Sequence, residues 1–318
     1  MTDPAMPDPV TVNSAEPGGG DGIETPERGL WNDVWYQFRQ HKGAVAGAIV
    51  FAMIIFIVVF GPVLHPVDPT HIDVRARNAL PSLAHPMGTD NIGRDTFAGI
   101  IQGGRISLAV GFTAMALALL LGTLVGVLAG YYRRLDGVLM RVTDLFLALP
   151  ILPLLLVVIL LFRDSLRSAF GPETGIFLLV VTIIGATSWM QTARIVRGDV
   201  LALKEREFVL AARSIGTPDR RIILRHILPN VLSPIMVSAT LGIANAIITE
   251  SALSFLGLGF PSDFPTWGRL LFDGSNFMAL NPSRVIWPGL AISLTVLSVN
   301  YMGDGLRDAL DPRMRGRA

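Results

Sequence analysis

The sequence contains no cysteine, and charge is scarce: Asp, Glu, Lys and Arg together make up 16% of its 318 residues. Without cysteine there are no disulfide frameworks, thiolate metal sites or thiol nucleophiles. Soluble domains carry roughly a quarter charged residues, whereas here 51% of residues are hydrophobic and the mean hydropathy is +0.53. Lysine is nearly absent as well, with Lys42 and Lys204 the only two among 26 basic residues. A phosphate-binding loop needs Gly-Lys-Ser/Thr so that its lysine reaches the phosphates. The two lysines follow His41 and Leu203, so that route to ATP hydrolysis is closed. Neither GxSxG nor HExxH occurs. No catalytic residue is assigned.

What is present is apolar sequence in long runs, at 43–64, 106–132, 145–162, 174–193, 231–249 and 285–303. Such runs have the length of helices that span a bilayer. A soluble fold is ruled out. The spans are placed at 43–64, 106–130, 138–162, 174–193, 231–256 and 285–303, giving an all-α membrane protein of six transmembrane helices. The net charge of +1 says little, but the distribution of basic residues sets orientation. With both termini cytoplasmic, 18 of the 26 basic residues fall inside and 8 outside. The chain is therefore expected to be a multi-pass membrane protein with both ends cytoplasmic.

Residues 1–29 are rich in Pro, Gly and acidic residues and read as a disordered tail. The first span starts too late for a signal peptide and lacks a cleavage pattern, so it is expected to be retained. Before it, Trp31, Val34, Trp35 and Phe38 fall at i, i+3, i+4 and i+7, which suits an amphipathic helix over 30–42 in the interface. A plain aromatic belt is the alternative. Residues 314–318 form a basic C-terminal tail.

The 65–105 segment is the longest extracytoplasmic loop and contains HPMGTDNIGRD at 85–95. Thr89, Asp90 and Asp95 suit capping of helix starts, with Gly88 and Gly93 at turns. A metal reading would recruit His71, Asp73, His85 and Asp90, but their spacing fits no ligand pattern, so no metal site is assigned. In the second outer segment, 257–283, Pro265, Trp267 and Gly268 are candidates for a cap over a cavity; a simple connector is the other reading. Within the membrane, Gly122, Gly126 and Gly130 lie four apart, a spacing that allows helices to pack closely. Asp144 and Glu250 are costly acids at membrane depth. With Asn245 and Ser251, they are candidates for a translocation path, and for Glu250 a structural hydrogen-bonding role stands equally open.

The loop at 194–230 is patterned like a folded unit. A helix from Glu205 to Ile215 is expected to end at Gly216, which supplies a left-handed conformation. Thr217 is expected to cap a second helix, with Pro218 in its first turn, Asp219 complementing the dipole, and its end near Pro229. Two helices meeting at a glycine corner offer a shape that a partner can grip.

The string EREFVLAARSIGTPDRRIILRHILPN (205–230) resembles the cytoplasmic loop motif of ABC-importer permeases: Glu-Ala-Ala, three residues, Gly, nine residues, then Ile-x-Leu-Pro. Ala211, Ala212, Gly216, Leu228 and Pro229 match. Leu210 stands in place of Glu and His226 in place of Ile, as in the dipeptide/oligopeptide/nickel branch. HPMGTDNIGRD, ESALSFLGLG (250–259), PTWG (265–268) and GDGLRDALDPR (303–313) resemble that branch too. The resemblance runs from about residue 30 to 313 and implies a type I ABC-importer permease fold with its core over 106–313.

The same resemblance implies function and partners. The loop would meet the ATPase through Glu207, Ala211, Ala212, Arg213, Gly216, Thr217, Pro218 and Asp219. The partners implied are a second homologous permease in a heterodimer, two cytoplasmic ATPase subunits or domains, and an extracytoplasmic substrate-binding protein. Membrane lipids surround the chain and no nucleic acid is involved. This chain would bind no cofactor, ATP and Mg residing on the partner subunits. Di- and oligopeptides lead as cargo, moved by alternating access, with nickel or another small peptide-like solute as the alternative. A secondary transporter would predict an inverted repeat with broken helices at midplane, and a membrane enzyme would need a nucleophile or metal constellation. The sequence offers neither.

Overall fold

The computed structural model describes residues 30–310. The tails expected at 1–29 and 314–318 lie outside the described residues, as do Arg28, Arg313 and the side chain of Trp31. Among the described residues the regular structure is helical, apart from one isolated bridge between Thr89 and Asp95.

Helix α1 (Leu30–Gln40) is short and amphipathic; Val34 is buried, Phe38 half-buried and Trp35 exposed. Helix α2 (Lys42–Leu64) follows at once, its first turn capped by His41, whose Nδ1 accepts from the Ala44 amide at 2.9 Å. Pro62 sits inside α2 and has no N–H for the carbonyl four residues back. Arg105 supplies the missing donor: its Nε reaches the Val58 carbonyl at 2.9 Å and its second nitrogen the Val59 carbonyl at 2.8 Å.

Arg105 belongs to α3 (Thr96–Tyr131), so the expected 65–105 loop ends ten residues early. The sequence hides this because Gly99, Gln102, Gly103, Gly104 and Arg105 dilute the hydropathy. Those glycines mark close packing. A Cβ on Gly104 would lie 2.5 Å from Val58, and one on Gly103 would lie 3.2 Å from the Trp267 backbone. Asp95 caps the helix, accepting from the Ala98 amide at 2.7 Å. The 36 residues of α3 make a rod about 54 Å long at 1.5 Å per residue.

The third expected span is not one straight helix. Helices α4 (Arg133–Ala148) and α5 (Ile151–Phe170) meet at 87°. Pro150 is the cause, because a proline pushes its preceding residue out of the helical region, and Leu149 is extended with φ −73° and ψ 136°. α6 (Pro172–Leu203) then returns along α3. The three spaced glycines of α3 make that contact: a Cβ on Gly122 would lie 2.7 Å from the Trp189 carbonyl, and one on Gly126 2.7 Å from the Ala193 carbonyl. Close packing of small residues is what this spacing predicts.

After a short α7 (Glu207–Ser214), the chain turns into α8 (Asp219–Ile222), a π turn (Ile223–Ile227) and α9 (Leu228–Phe255), which run on as one rod. The second loop helix therefore does not end near Pro229 but becomes the fifth span. Pro229 lacks an N–H for the Arg225 carbonyl and its ring crowds it; the wide π turn just before it absorbs that defect. α10 (Trp267–Ser275) is a short outer helix, and α11 (Ser283–Leu310) completes the bundle against α2 and α9. Among the described residues five helices are long and apolar enough to cross a membrane, and six if the bent α4–α5 pair is one span.

Candidate functional site

Three places in this frame hold the residues singled out by sequence: a corner at one end of the bundle, a cavity beside the α4–α5 elbow, and a plug at the opposite end.

The corner is built by Gly216, whose φ is +78°. The Gly216 amide donates to the Arg213 carbonyl at 3.0 Å and the Thr217 amide to the Ala212 carbonyl at 3.1 Å. This pair of bonds is a Schellman ending of α7. Thr217 is thus spent closing the first helix. The N-cap position of α8 falls on Pro218, without a side-chain cap bond, where the sequence placed the cap on Thr217. Proline fits there because it has no amide to satisfy, and its carbonyl accepts from Arg221 and Ile222. No atom lies within 4 Å of a Cβ built on Gly216, so the left-handed backbone is the reason for glycine within this chain.

The corner is anchored by an apolar cluster in which Val209 and Ala212 of α7 and Ile222 of α8 pack with Val127 and Tyr131 of α3 and Val196 and Val200 of α6. Its outward side carries apolar residues among exposed arginines: Phe208, Leu210 and Leu224 are exposed and Ile215 is 82% exposed, alongside Arg213, Arg220, Arg221 and Arg225. Glu207 stands in the first turn of α7 and Asp219 in that of α8, each favourable to the helix dipole. Ala211 is exposed while Ala212 is buried. Tyr131, which the sequence reading did not single out, donates its hydroxyl to Asp219 Oδ1 at 2.6 Å, and the Arg213 guanidinium lies 5.7 Å from its ring centroid. Nothing in the local motif marks it, since it comes from a helix some 90 residues away in sequence (88 separate it from Asp219).

At the same end, α4 is strapped to α6. Arg197 grips Asp136 with two bonds of 2.5 and 2.7 Å, and Arg194 pairs with Asp144 at 2.5 Å. Asp144 is thus an ion-pair partner of Arg194, its side chain 58% exposed. The turn that holds it belongs to α4, before the elbow.

Beside the elbow lies a cavity of about 480 Å³. Asn245 and Thr249 of α9, Gln191, Ser188 and Thr187 of α6, and Ser238 bring polar groups to it among apolar neighbours. None of its lining residues is charged. Thr187 and Thr249 return their hydroxyls to carbonyls of their own helices, Ile183 and Asn245, each at 2.8 Å.

Glu250 does not line that cavity. It is fully buried on the other side of α9, accepting from the hydroxyls of Ser254 at 2.7 Å and Ser107 at 3.0 Å. Ser107 Oγ in turn accepts from the Trp267 amide at 3.2 Å. The expected cap residues are packed into the bundle at this end, in the manner of a plug. Trp267 is buried, its indole N–H donating to the Ile100 carbonyl at 3.0 Å, and Gly268 sits where a Cβ would be 2.5 Å from the Ser251 backbone. Ser251 is likewise buried, and Pro265 lines a small neighbouring cavity of about 50 Å³. In the loop at 65–95, Asp73 accepts from the Arg75 amide, and Asp90 from those of Ile92 and Arg94. His85 pairs with Asp95 at 2.7 Å. Thr70 donates both its amide and its hydroxyl to Asp68 and holds that carboxyl below the usual range. Among the described residues no cluster of metal ligands forms.

A helical membrane bundle with an anchored corner at one end and an uncharged, partly polar cavity beside its elbow suits a transport permease, and the comparisons agree. The chain belongs to the family of binding-protein-dependent transport system inner membrane components, whose model matches residues 118–316, and residues 29–82 match the N-terminal transmembrane domain of oligopeptide transport permease C. It is 41% identical to the dipeptide transport system permease protein DppC of Alkalihalophilus pseudofirmus over 90% of each chain. It is 36% identical to the oligopeptide transport system permease protein OppC of Bacillus subtilis, over 98% of this chain and 97% of that one. The glutathione transport system permease protein GsiD of Pectobacterium atrosepticum is 38% identical over 92% of this chain and 93% of its own. Among solved structures, the MetNI methionine ABC transporter in inward-facing conformations shares the fold, with a TM-score of 0.53 and 17% identity over 66% of this chain and 96% of that one. The protein is a multi-pass inner-membrane permease of the ABC-importer type.

Proposed function

We propose that this chain is one half of the membrane pathway of an ATP-driven peptide importer, in which a second, homologous permease supplies the other half. Two ATPase subunits would grip the corner on the cytoplasmic face, and a binding protein would deliver peptide at the plug end. ATP and Mg would be held by the ATPases. The observation that carries this reading is the Gly216 corner: apolar residues face outward from a turn whose inner side is packed into the bundle. A partner that pushes there moves helices, not a loose loop. The names of the relatives support di- and oligopeptides as cargo. The uncharged cavity beside the elbow supports the same class, because hydroxyls and side-chain amides match the amide groups common to all peptides. Asn245 is assigned to the path. Glu250, Ser251 and Asp144 are assigned to structure.

Gly216→Val tests the corner. A β-branched residue at this φ costs roughly 1–2 kcal/mol of backbone strain and adds bulk to the outward face. The variant is expected to insert and accumulate like the wild type while ATPase co-purification or ATP-dependent uptake is lost. Wild-type uptake with bound ATPases would reject the corner as the coupling element.

A further inference from the structure

A rigid corner transmits force only if something fixes it to the helices behind it. Apolar packing resists compression well but resists sliding poorly, since dispersion contacts have no direction. Hydrogen bonds and ion contacts do have direction, and the corner makes few of them to the bundle. Tyr131 is the last residue of α3, with 8% of its surface exposed. Its hydroxyl donates to Asp219, the first residue of α8, and its ring face receives Arg213, near the end of α7. Asp219 and Arg213 make no ion pair with each other among the described residues. One side chain therefore registers both arms of the corner, one by a charge-assisted bond and one by a cation on its ring.

The position behind Tyr131 is equally fixed. Gly130 is pressed on α6, where a Cβ would lie 2.7 Å from Val200, and its carbonyl accepts from Lys204 Nζ at 3.1 Å. The Tyr132 ring meets the Tyr131 ring edge-on at 5.1 Å between centroids. The end of α3 thus has little freedom of its own, and a displacement of the corner reaches it through the tyrosine.

We propose that Tyr131 is the positioning residue that keys the corner to α3, so that ATP-driven movement of α7 and α8 is delivered to the bundle along that helix. This rests on the coupling reading of the corner.

The test uses the complete complex with partner permease, ATPases and binding protein in liposomes. It measures ATP hydrolysis with and without binding protein, uptake of a labelled mixture of di-, tri- and pentaalanine, and ATPase co-purification. Tyr131→Phe keeps the ring and the packing but removes the hydroxyl. The expected result is normal co-purification and basal hydrolysis, with stimulation by binding protein and uptake reduced together by roughly tenfold, the loss expected for one bond to a charged group. Asp219→Asn and the double variant complete a cycle, and the two losses are expected not to add. Tyr131→Phe with wild-type stimulation and uptake overturns the proposal, as does a loss that merely follows reduced ATPase binding or abundance. Gly216→Val measured alongside separates the two readings. If it alone abolishes uptake, the corner stands without the key; if neither variant has an effect, both fall.

Discussion

A fully buried carboxyl group has to be held by donors, and Glu250 is held by the hydroxyls of Ser254 and Ser107. Its depth in the membrane was legible in sequence; its direction was not. A helix with polar residues on several sides does not reveal which side meets a cavity and which a neighbour, and Ser107 lies 143 residues away. The two fates divide on α9 itself, where Asn245 faces the cavity and Glu250 the plug. Glu250→Leu strands both hydroxyls and is expected to destabilise the chain by about 1–3 kcal/mol. Glu250→Gln keeps an acceptor for one hydroxyl and is expected to lie much closer to wild type. Thermal unfolding in detergent, followed by near-ultraviolet circular dichroism, measures both. Equal losses would mean that the charge, rather than the hydrogen bonding, matters. Thr217 teaches a similar lesson. A good N-capping residue after a left-handed glycine was used to close the helix behind it, because its amide was needed by Ala212.

At the level of helices, composition located the apolar rods but misjudged their ends. Hydropathy falls where glycines and an arginine enter α3, yet the helix continues because those glycines let it approach Val58 and Trp267. Pro150 breaks a helix, whereas Pro62 and Pro229 do not. The difference is local: Leu149 is extended before Pro150, whereas Arg105 serves the carbonyl that Pro62 frees and a π turn precedes Pro229. The Gly216 corner and the glycine stripe of α3 were readable because each needs only residues close together in sequence. The pairing of Arg105 with α2 yields a test. Arg105→Met leaves the Val58 carbonyl without its donor and is expected to cost about 1–3 kcal/mol. In a Pro62→Ala background the alanine amide serves that carbonyl, so the same replacement is expected to cost distinctly less. Denaturation midpoints of the four proteins measure the difference, and equal costs in both backgrounds would reject the pairing.

For the whole molecule, orientation rests on the 18 basic residues assigned to one side and the 8 to the other. The chain has no cysteine of its own, so single cysteines report cleanly. Ser262, near the plug, and Thr217, at the corner, lie at opposite ends of the bundle in this topology. A cysteine at Ser262 is expected to react with an impermeant maleimide in intact cells with a permeabilised outer envelope, and one at Thr217 only after the inner membrane is opened. The reverse pattern would invert the protein in the membrane. This fold was legible as a six-span bundle because a bilayer restricts the choices so severely. The elbow, the cavity and the keying of the corner were not, since each depends on how rods meet.

The length of α3 gives the molecule a mechanical character. Gly103 and Gly104 near its start are wedged against the Trp267 plug, and its last residue touches the corner. A stiff lever about 54 Å long converts small rotations into large displacements: a tilt of about 5° swings one tip by roughly 5 Å relative to the other. The glycine stripe of α3, into which the side chains of Thr192, Val196 and Val200 of α6 seat, holds the two rods close together and would serve as the fulcrum. Opening at one face and grip at the other would then be two ends of a single stroke, with no need for a signal to pass from residue to residue through the interior.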